Sequence, residues 1–340
     1  MDRLESFVLE EFRKLSEERS LYTLEGSEEI KVSLTNVTVS FTSYMDVFFT
    51  KVRGDNIDGW EIDNTKKDLY YRQYLGWSEN CGWYDCNKDM SDDTSLCWAA
   101  ATSNMLHSWI ENNKEYIRRY YEINPDAQPC PSHDFIPGKI SGIWQMYKDA
   151  FQDRAGNIAD GIKWFFSGAP GANIPDYSSQ WINYKGIFKE VFNGNPPNLK
   201  YKRGGIPRDK FNEYIKEAIR NGDLIGFAAN ENVTIVGEKP SANSALHAMT
   251  IWGVEFDENE EVSAIYYVDN NTAASHDSNM FNQGLILRAL IKYDQYGNVF
   301  RKYNDYNNKY YLQIISIETF GLGKKEWENY FNNIQTNTDK

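Results

Sequence analysis

The feature that most narrows the fold of this chain is a change of hydrophobic period part-way along it. From Leu96 to about Tyr121 the sequence is rich in Ala, Leu, Met and long charged side chains, which predicts a long helix. Asp92, Asp93, Thr94 and Ser95 stand just before it, and any of them could cap its first amides. Asn124-Pro125 breaks the pattern. Shorter helical pieces are expected over Ile140 to Phe151 and over Asp209 to Gly222, the latter closing at Asn221-Gly222. After Gly222 the chain reads as strands: Leu224 to Ala228, Ala245 to Glu255, Glu261 to Val268, Leu285 to Tyr293 and Tyr310 to Glu318. Hairpin-like signals fall at Asp257-Glu258-Asn259 and at Gln295-Tyr296-Gly297-Asn298. Helices first and antiparallel strands second imply an α+β fold in two lobes, with a cleft between them where a peptide could lie.

Ahead of these lies a segment of different character. Leu4, Phe7, Val8, Phe12 and Leu15 share one face of a short amphipathic helix over residues 4 to 19. Lys31 to Val52 is β-like, and Gly54 to Lys67 is polar and reads as loop. We divide the chain into an extension, residues 1–45, and a main domain, residues 46–340. A formal net charge of −13 argues against nucleic acid or an anionic membrane as partner, because both need a basic patch. The short basic run Lys200-Tyr201-Lys202-Arg203 reads as a solvated loop. No apolar stretch reaches the length of a membrane span, and Met1 to Ser20 lacks the apolar centre and small-residue cleavage site of a signal peptide. Cys81, Cys86, Cys97 and Cys130 have no paired Cys-x-x-Cys spacing and the four histidines are scattered, so neither a disulfide scaffold, a metal nor a cofactor is expected. The many aromatics, 10 Trp, 23 Tyr and 18 Phe, suit a well-packed core or a groove that grips a peptide.

Three positions carry chemistry by their company. Cys97 falls in the first turn of the long helix, where unpaired amides and the helix dipole favour a thiolate, the species that attacks in acyl transfer. A buried structural cysteine is the alternative at that position. His247 opens the apolar run Ala248-Met249-Thr250-Ile251-Trp252, and Asp269 ends the run Ala264-Ile265-Tyr266-Tyr267-Val268 one hairpin later. Adjacent strands could bring the carboxylate to the imidazole, fixing its tautomer and stabilising its charged form.

These words resemble papain-like enzymes, and more closely the IdeS/Mac family of bacterial immunoglobulin-degrading cysteine proteases. The resemblance rests on Gly82-Trp83-Tyr84-Asp85 with Lys88, on Leu96-Cys97 with Ala99-Ala100, and on Asn104-Met105-Leu106-His107 and Trp109. It continues in His247 with Trp252-Gly253, Phe256-Asp257 and Ala264-Ile265-Tyr266, and runs from about Thr50 to Trp327. It implies a papain-like two-lobed fold and assigns the nucleophile to Cys97, the base to His247, the orienting carboxylate to Asp269 and the oxyanion-stabilising lysine to Lys88. A solvated loop lysine is the alternative at Lys88. The family's second acidic residue, two places beyond the first, falls on Asn271, which keeps hydrogen bonding but adds no charge. Trp98 stands where the nearest relatives have Gly, the loop from Lys88 to Cys97 is one residue shorter, and Cys130 to Ile206 matches poorly. The function implied is a secreted or cell-surface cysteine endopeptidase acting as a monomer on a protein substrate, the immunoglobulin heavy chain near its hinge. A papain-like protease or toxin with another substrate, or a non-catalytic binding module, are the alternatives.

Overall fold

The computed structural model describes residues 29–34, 37–42, 46–49, 74–76, 82–168, 181, 183–230, 234–235, 246–257, 259–271, 284–302 and 310–338. The amphipathic helix expected over residues 4 to 19 and the loop expected over 54 to 67 lie outside them. The chain runs β1 (Glu29–Leu34), β2 (Val37–Thr42), β3 (Asp46–Phe49), β4 (Tyr74–Gly76), α1 (Cys97–Ile123), β5 (Phe135–Ile136), β6 (Ile140–Ser141), α2 (Gly142–Phe151), α3 (Ile158–Ser167) and α4 (Lys189–Phe192). It continues β7 (Lys200–Lys202), α5 (Arg208–Asn221), β8 (Leu224–Asn230), β9 (Thr234–Ile235), β10 (Leu246–Phe256), β11 (Val262–Val268), β12 (Leu285–Tyr293), β13 (Val299–Lys302), β14 (Tyr310–Phe320) and α6 (Lys324–Thr338). The mixed α+β character expected from the sequence is present.

The strands of the second half do more than form a sheet. β11, β10, β8, β14, β13 and β12 pair in that order, and β12 pairs back onto β11, closing a six-stranded barrel. Every pairing in the ring is antiparallel. Closure removes the exposed edges that an open sheet of this size would carry. Its interior is filled by Phe227, Ala229, Met249, Ile251, Ile265, Tyr267, Leu287 and Ile314, among others. Both expected hairpin turns are present: Asp257 N–H reaches Glu261 O, and Asp294 N–H reaches Asn298 O with Gly297 at φ +80°.

The first-half helices gather around α1, whose residues Trp98 to Ile110 are all buried. Such a helix needs cover on every side, and it has the barrel strands β8 and β10 on one side and α2 and α3 on the other. Its buried hydroxyls are satisfied within the helix: Thr102 Oγ1 donates to Trp98 O (2.7 Å) and Ser103 Oγ to Ala99 O (2.8 Å). The aromatic residues form the core behind it, where Trp327 of α6 packs against Trp109, Tyr116, Tyr120, Phe188 and Phe192. α3 ends on Gly168 at φ +71°, where a Cβ would lie 2.1 Å from Tyr184 O, so the chain returns there at a distance only glycine allows.

Two readings are corrected. Lys200 to Arg203 is exposed at Tyr201 and Lys202 but is not a loop: β7 pairs with β14, and Arg203 turns to the buried Glu318 (3.7 Å) and Asp160 (4.0 Å). Those carboxylates are buried with a cation beside them. The histidines are not all scattered in space either. His107 is fully buried, its Nε2 2.7 Å from Ser141 Oγ and its Nδ1 3.4 Å from His133 Nδ1, while His133 Nε2 lies 3.2 Å from Glu111. One assignment of protons satisfies the chain: Ser141 donates to His107, His107 to His133, and His133 to Glu111. Tyr84 stacks on His107 at 5.0 Å, so the chain also supports segment 82–88.

Burial, with the neighbouring His133 adding to it, holds the His107 pKa well below the ordinary histidine value. A folded protein that excludes a proton taken up by the unfolded chain loses stability as pH falls below about 6.5. Urea midpoints measured from pH 7.5 down to 5.5 are therefore expected to fall less steeply in His107→Gln than in the parent, though the variant is less stable at every pH. Equal slopes would show that the buried imidazole is not the group responsible.

Candidate active site

Cys97 is the first residue of α1, as expected. None of the four expected caps performs that role. The preceding residue, Leu96, is the N-cap and contributes no side-chain hydrogen bond. Asp93 instead turns into its own loop, accepting from Met90 N–H (2.9 Å) and Asp89 N–H (3.1 Å). Thr94 Oγ1 and Ser95 N–H both donate to Asp153, each at 2.5 Å. With no carboxylate or hydroxyl capping it, the positive end of the helix is left to the Cys97 thiol.

β10 carries the histidine. Along it Ala248, Thr250 and Trp252 face α1, while Met249 and Ile251 fill the barrel. A strand covered on both faces reads as a nearly continuous apolar run, which is why His247 stood out at its start. The ring is 5% exposed, and its Nε2 lies 2.6 Å from Asp269 Oδ1. The same carboxylate oxygen accepts from Asn271 N–H at 3.0 Å. His247 Nδ1 is buried without a hydrogen-bond partner among the described residues, leaving that nitrogen to the thiol.

The electrostatics follow from these contacts. Burial opposes ionisation of Cys97, but the adjacent His247, the Ala248 amide and the charge of Lys88 overcome it and lower the thiol pKa. Burial likewise disfavours imidazolium, yet the Asp269 charge and hydrogen bond, with Cys97 adding to them, raise His247 to about 9. Asp269 is held ionised against its own burial by His247, with Arg301 contributing from further off. Both shifts favour a thiolate beside an imidazolium.

Lys88 is 2% exposed rather than solvated. Its Nζ donates to Thr94 O at 2.7 Å and its backbone N–H to Asn270 O at 2.9 Å, placing the ammonium in the loop that leads to the nucleophile. Asn271 meets Asp269 through its backbone amide; its side-chain Oδ1 is buried with no partner among the described residues. Trp98, despite its place beside the nucleophile, points away from the site. Its indole N–H donates to Arg154 O (2.9 Å), and the ring fits where a Cβ at Gly156 or Gly161 would collide with it.

Three residues passed over in the sequence belong to the arrangement. Asn270 Nδ2 donates to Cys97 O (3.1 Å) and to Ala248 O (2.8 Å). Asn104 accepts from Cys86 N–H (2.7 Å) and donates to Thr250 Oγ1 (3.3 Å), joining segment 82–88 to α1 and β10. Arg301 is buried against Tyr267, with Nη1 2.9 Å from the phenol oxygen. A strand-end Asn and a single Arg within a strand have no sequence signature apart from turn formers and barrel edges. A carboxylate cluster at Asp89, Asp92 and Asp93 has the spacing of a cation site, but Lys148 Nζ sits 3.5, 3.1 and 3.4 Å from the three and supplies the positive charge.

The other described thiols differ sharply from Cys97. Burial pushes Cys130 up to about 12 and Cys86 higher still. Brief iodoacetamide treatment of the folded protein at pH 6 is expected to modify Cys97 at least tenfold faster than Cys86 or Cys130, as read by peptide mass spectrometry. Equal rates would contradict the thiolate–imidazolium pair.

Comparison with known proteins adds an independent line. A family model described as Mac-1 matches residues 53–133, a span that holds Lys88 and Cys97. An IgM protease of Streptococcus suis (strain P1/7) is 26% identical over 272 aligned residues, covering 74% of this chain and 22% of that protein. The chain thus spans about a fifth of the length of this curated relative. The Mac-1 match covers the residues around Cys97, and both matches support the resemblance to the IdeS/Mac family.

Proposed function

We propose that the chain is a cysteine endopeptidase that cleaves an immunoglobulin heavy chain. The observation that carries the reading is the division of labour at His247: Asp269 takes Nε2, and the buried Nδ1 is left for a thiol at the uncapped start of α1. That is the arrangement acyl transfer needs. The Cys97 thiolate attacks a peptide carbonyl, and its electron pair forms the S–C bond while the carbonyl oxygen takes the negative charge. Lys88 and the Cys97 amide stabilise that oxyanion. Protonated His247 delivers its proton to the leaving amine as the C–N bond breaks. Water, deprotonated by the now neutral His247, then attacks the thioester and releases the acid and the thiolate. Asp269 orients the ring throughout, and Asn271 supports Asp269 through its amide without adding charge.

In this reading the helices around α1 and the barrel form the two walls of a papain-like cleft with the nucleophile at its floor. The protein acts outside the cell as a monomer, and no helix among the described residues is long and apolar enough to cross a membrane. The immunoglobulin substrate is supported by the kinship to a protein named for cleaving IgM. Because this chain matches only part of that protein, IgM, IgG and IgA from several hosts are the proper panel.

Incubation with that panel, followed by mass spectrometry of heavy-chain fragments, is expected to show one dominant cut in at least one class. Cys97→Ala should fold normally and lose roughly 10⁶ in turnover, by analogy with removal of other covalent nucleophiles. Cleavage by the alanine variant at a comparable rate would end the Cys97 assignment. An intact panel, with Cys97 still selectively alkylated, would end the immunoglobulin assignment and leave the peptidase one standing.

A further inference from the structure

We propose that Asn270 is a positioning residue that sets the distance and register between Cys97 and His247. The inference rests on the cysteine-peptidase reading above. Asn270 is 1% exposed, and both hydrogens of its carboxamide are engaged, one by Cys97 O (3.1 Å) and one by Ala248 O (2.8 Å). Both partners are carbonyl oxygens, which only accept, so the orientation of the amide is fixed by its surroundings. One planar group therefore ties the residue bearing the nucleophile to the residue following the base. Its backbone completes the link, since Asn270 O accepts the Lys88 N–H (2.9 Å) and the preceding residue is Asp269 itself. The start of α1, the start of β10, the Lys88 segment and the end of β11 all converge on this one side chain and its peptide.

The reason an asparagine is needed lies in the register. β10 pairs with β8 from Leu246 to Ile251 on one side, but with β11 only from Thr250 onward, opposite Val268. β11 has ended by the point where Ala248 needs a donor on its second side. The chain has turned at Asp269 to present a carboxylate to the imidazole, so its backbone no longer continues the ladder. The Asn270 side chain supplies the missing N–H, and its second hydrogen reaches across to the helix. Aspartate would place an acceptor against two acceptors, serine supplies one donor in place of two, and alanine supplies none. The charged groups around the pair are Lys88 from the preceding loop, Asp269 from the end of β11 and Arg301 acting on Asp269 from β13. Asn270 adds no charge to them, so its effect on the pair can only be geometric.

The test is the rate of Cys97 alkylation by iodoacetamide as a function of pH, on the full chain, for the parent, Asn270→Ala and Asn270→Ser. Thermal unfolding of each is followed in parallel. The parent should show an inflection below the ordinary thiol value of about 8.5. In Asn270→Ala the inflection should move up by one unit or more, cutting the rate at pH 6 about tenfold, with Asn270→Ser between the two. A folded alanine variant with the parent's inflection, even at a lower melting temperature, would show a merely structural role and overturn the proposal. If the alanine variant does not fold, the serine variant decides by the same criterion. A parent without a depressed inflection would instead refute the peptidase reading, and the proposal with it.

Discussion

The seam between α1 and β10 is the contact on which the rest of the site depends. Thr250 Oγ1 donates to Ala101 O at 3.2 Å and accepts from Asn104, while Asn270 bridges Cys97 O and Ala248 O. These bonds lie in a buried layer where unsatisfied polar groups are costly, so sliding the helix along the strand would strand several at once. Apolar packing around them is not directional; the polar bridges are what hold one register. The helix that begins with Cys97 and the strand that begins at Leu246-His247 are thereby brought together at their ends.

The charges where these ends meet form a connected set. Asp269 favours the imidazolium, the imidazolium favours the thiolate, and the positive end of α1 and Lys88 favour it further. Arg301 acts one step behind, on Asp269. Asn271 in place of a second carboxylate leaves Asp269 as the carboxylate that acts on His247 among the described residues, with the Asn271 backbone amide helping to keep it ionised. Negative charge thus enters the pair at Asp269 and is delivered as reactivity at Cys97.

Much of this was legible in the sequence, for a definable reason. Cys97, His247 and Asp269 each stand where a periodic segment begins or ends, and such boundaries are visible in one dimension. The α+β division and both hairpins were legible on the same grounds. What was not legible depends on where polar side chains turn. The four polar residues before α1 looked like caps, yet they bond within their own loop and to Asp153, whose position 58 residues on no local pattern reveals. Trp98, next to the nucleophile in sequence, faces away from it, into the space left by Gly156 and Gly161. The closure of the barrel required β12 to find β11 as well as β13, a long-range pairing with no local marker. Asn270, reading as a turn former, is a replacement for strand backbone that has run out.

The central claim is that Cys97 rests as a thiolate beside a protonated His247. Nitrogen-15 NMR of histidine-labelled protein tests it directly, with the His247 resonance assigned by its loss in His247→Gln. The account predicts that at pH 7.5 His247 is imidazolium, titrating only toward about 9 and at a lower pH once Cys97 is replaced by alanine. His107, by contrast, is predicted neutral. A neutral His247 ring at pH 7.5, insensitive to the removal of Cys97, would contradict the account.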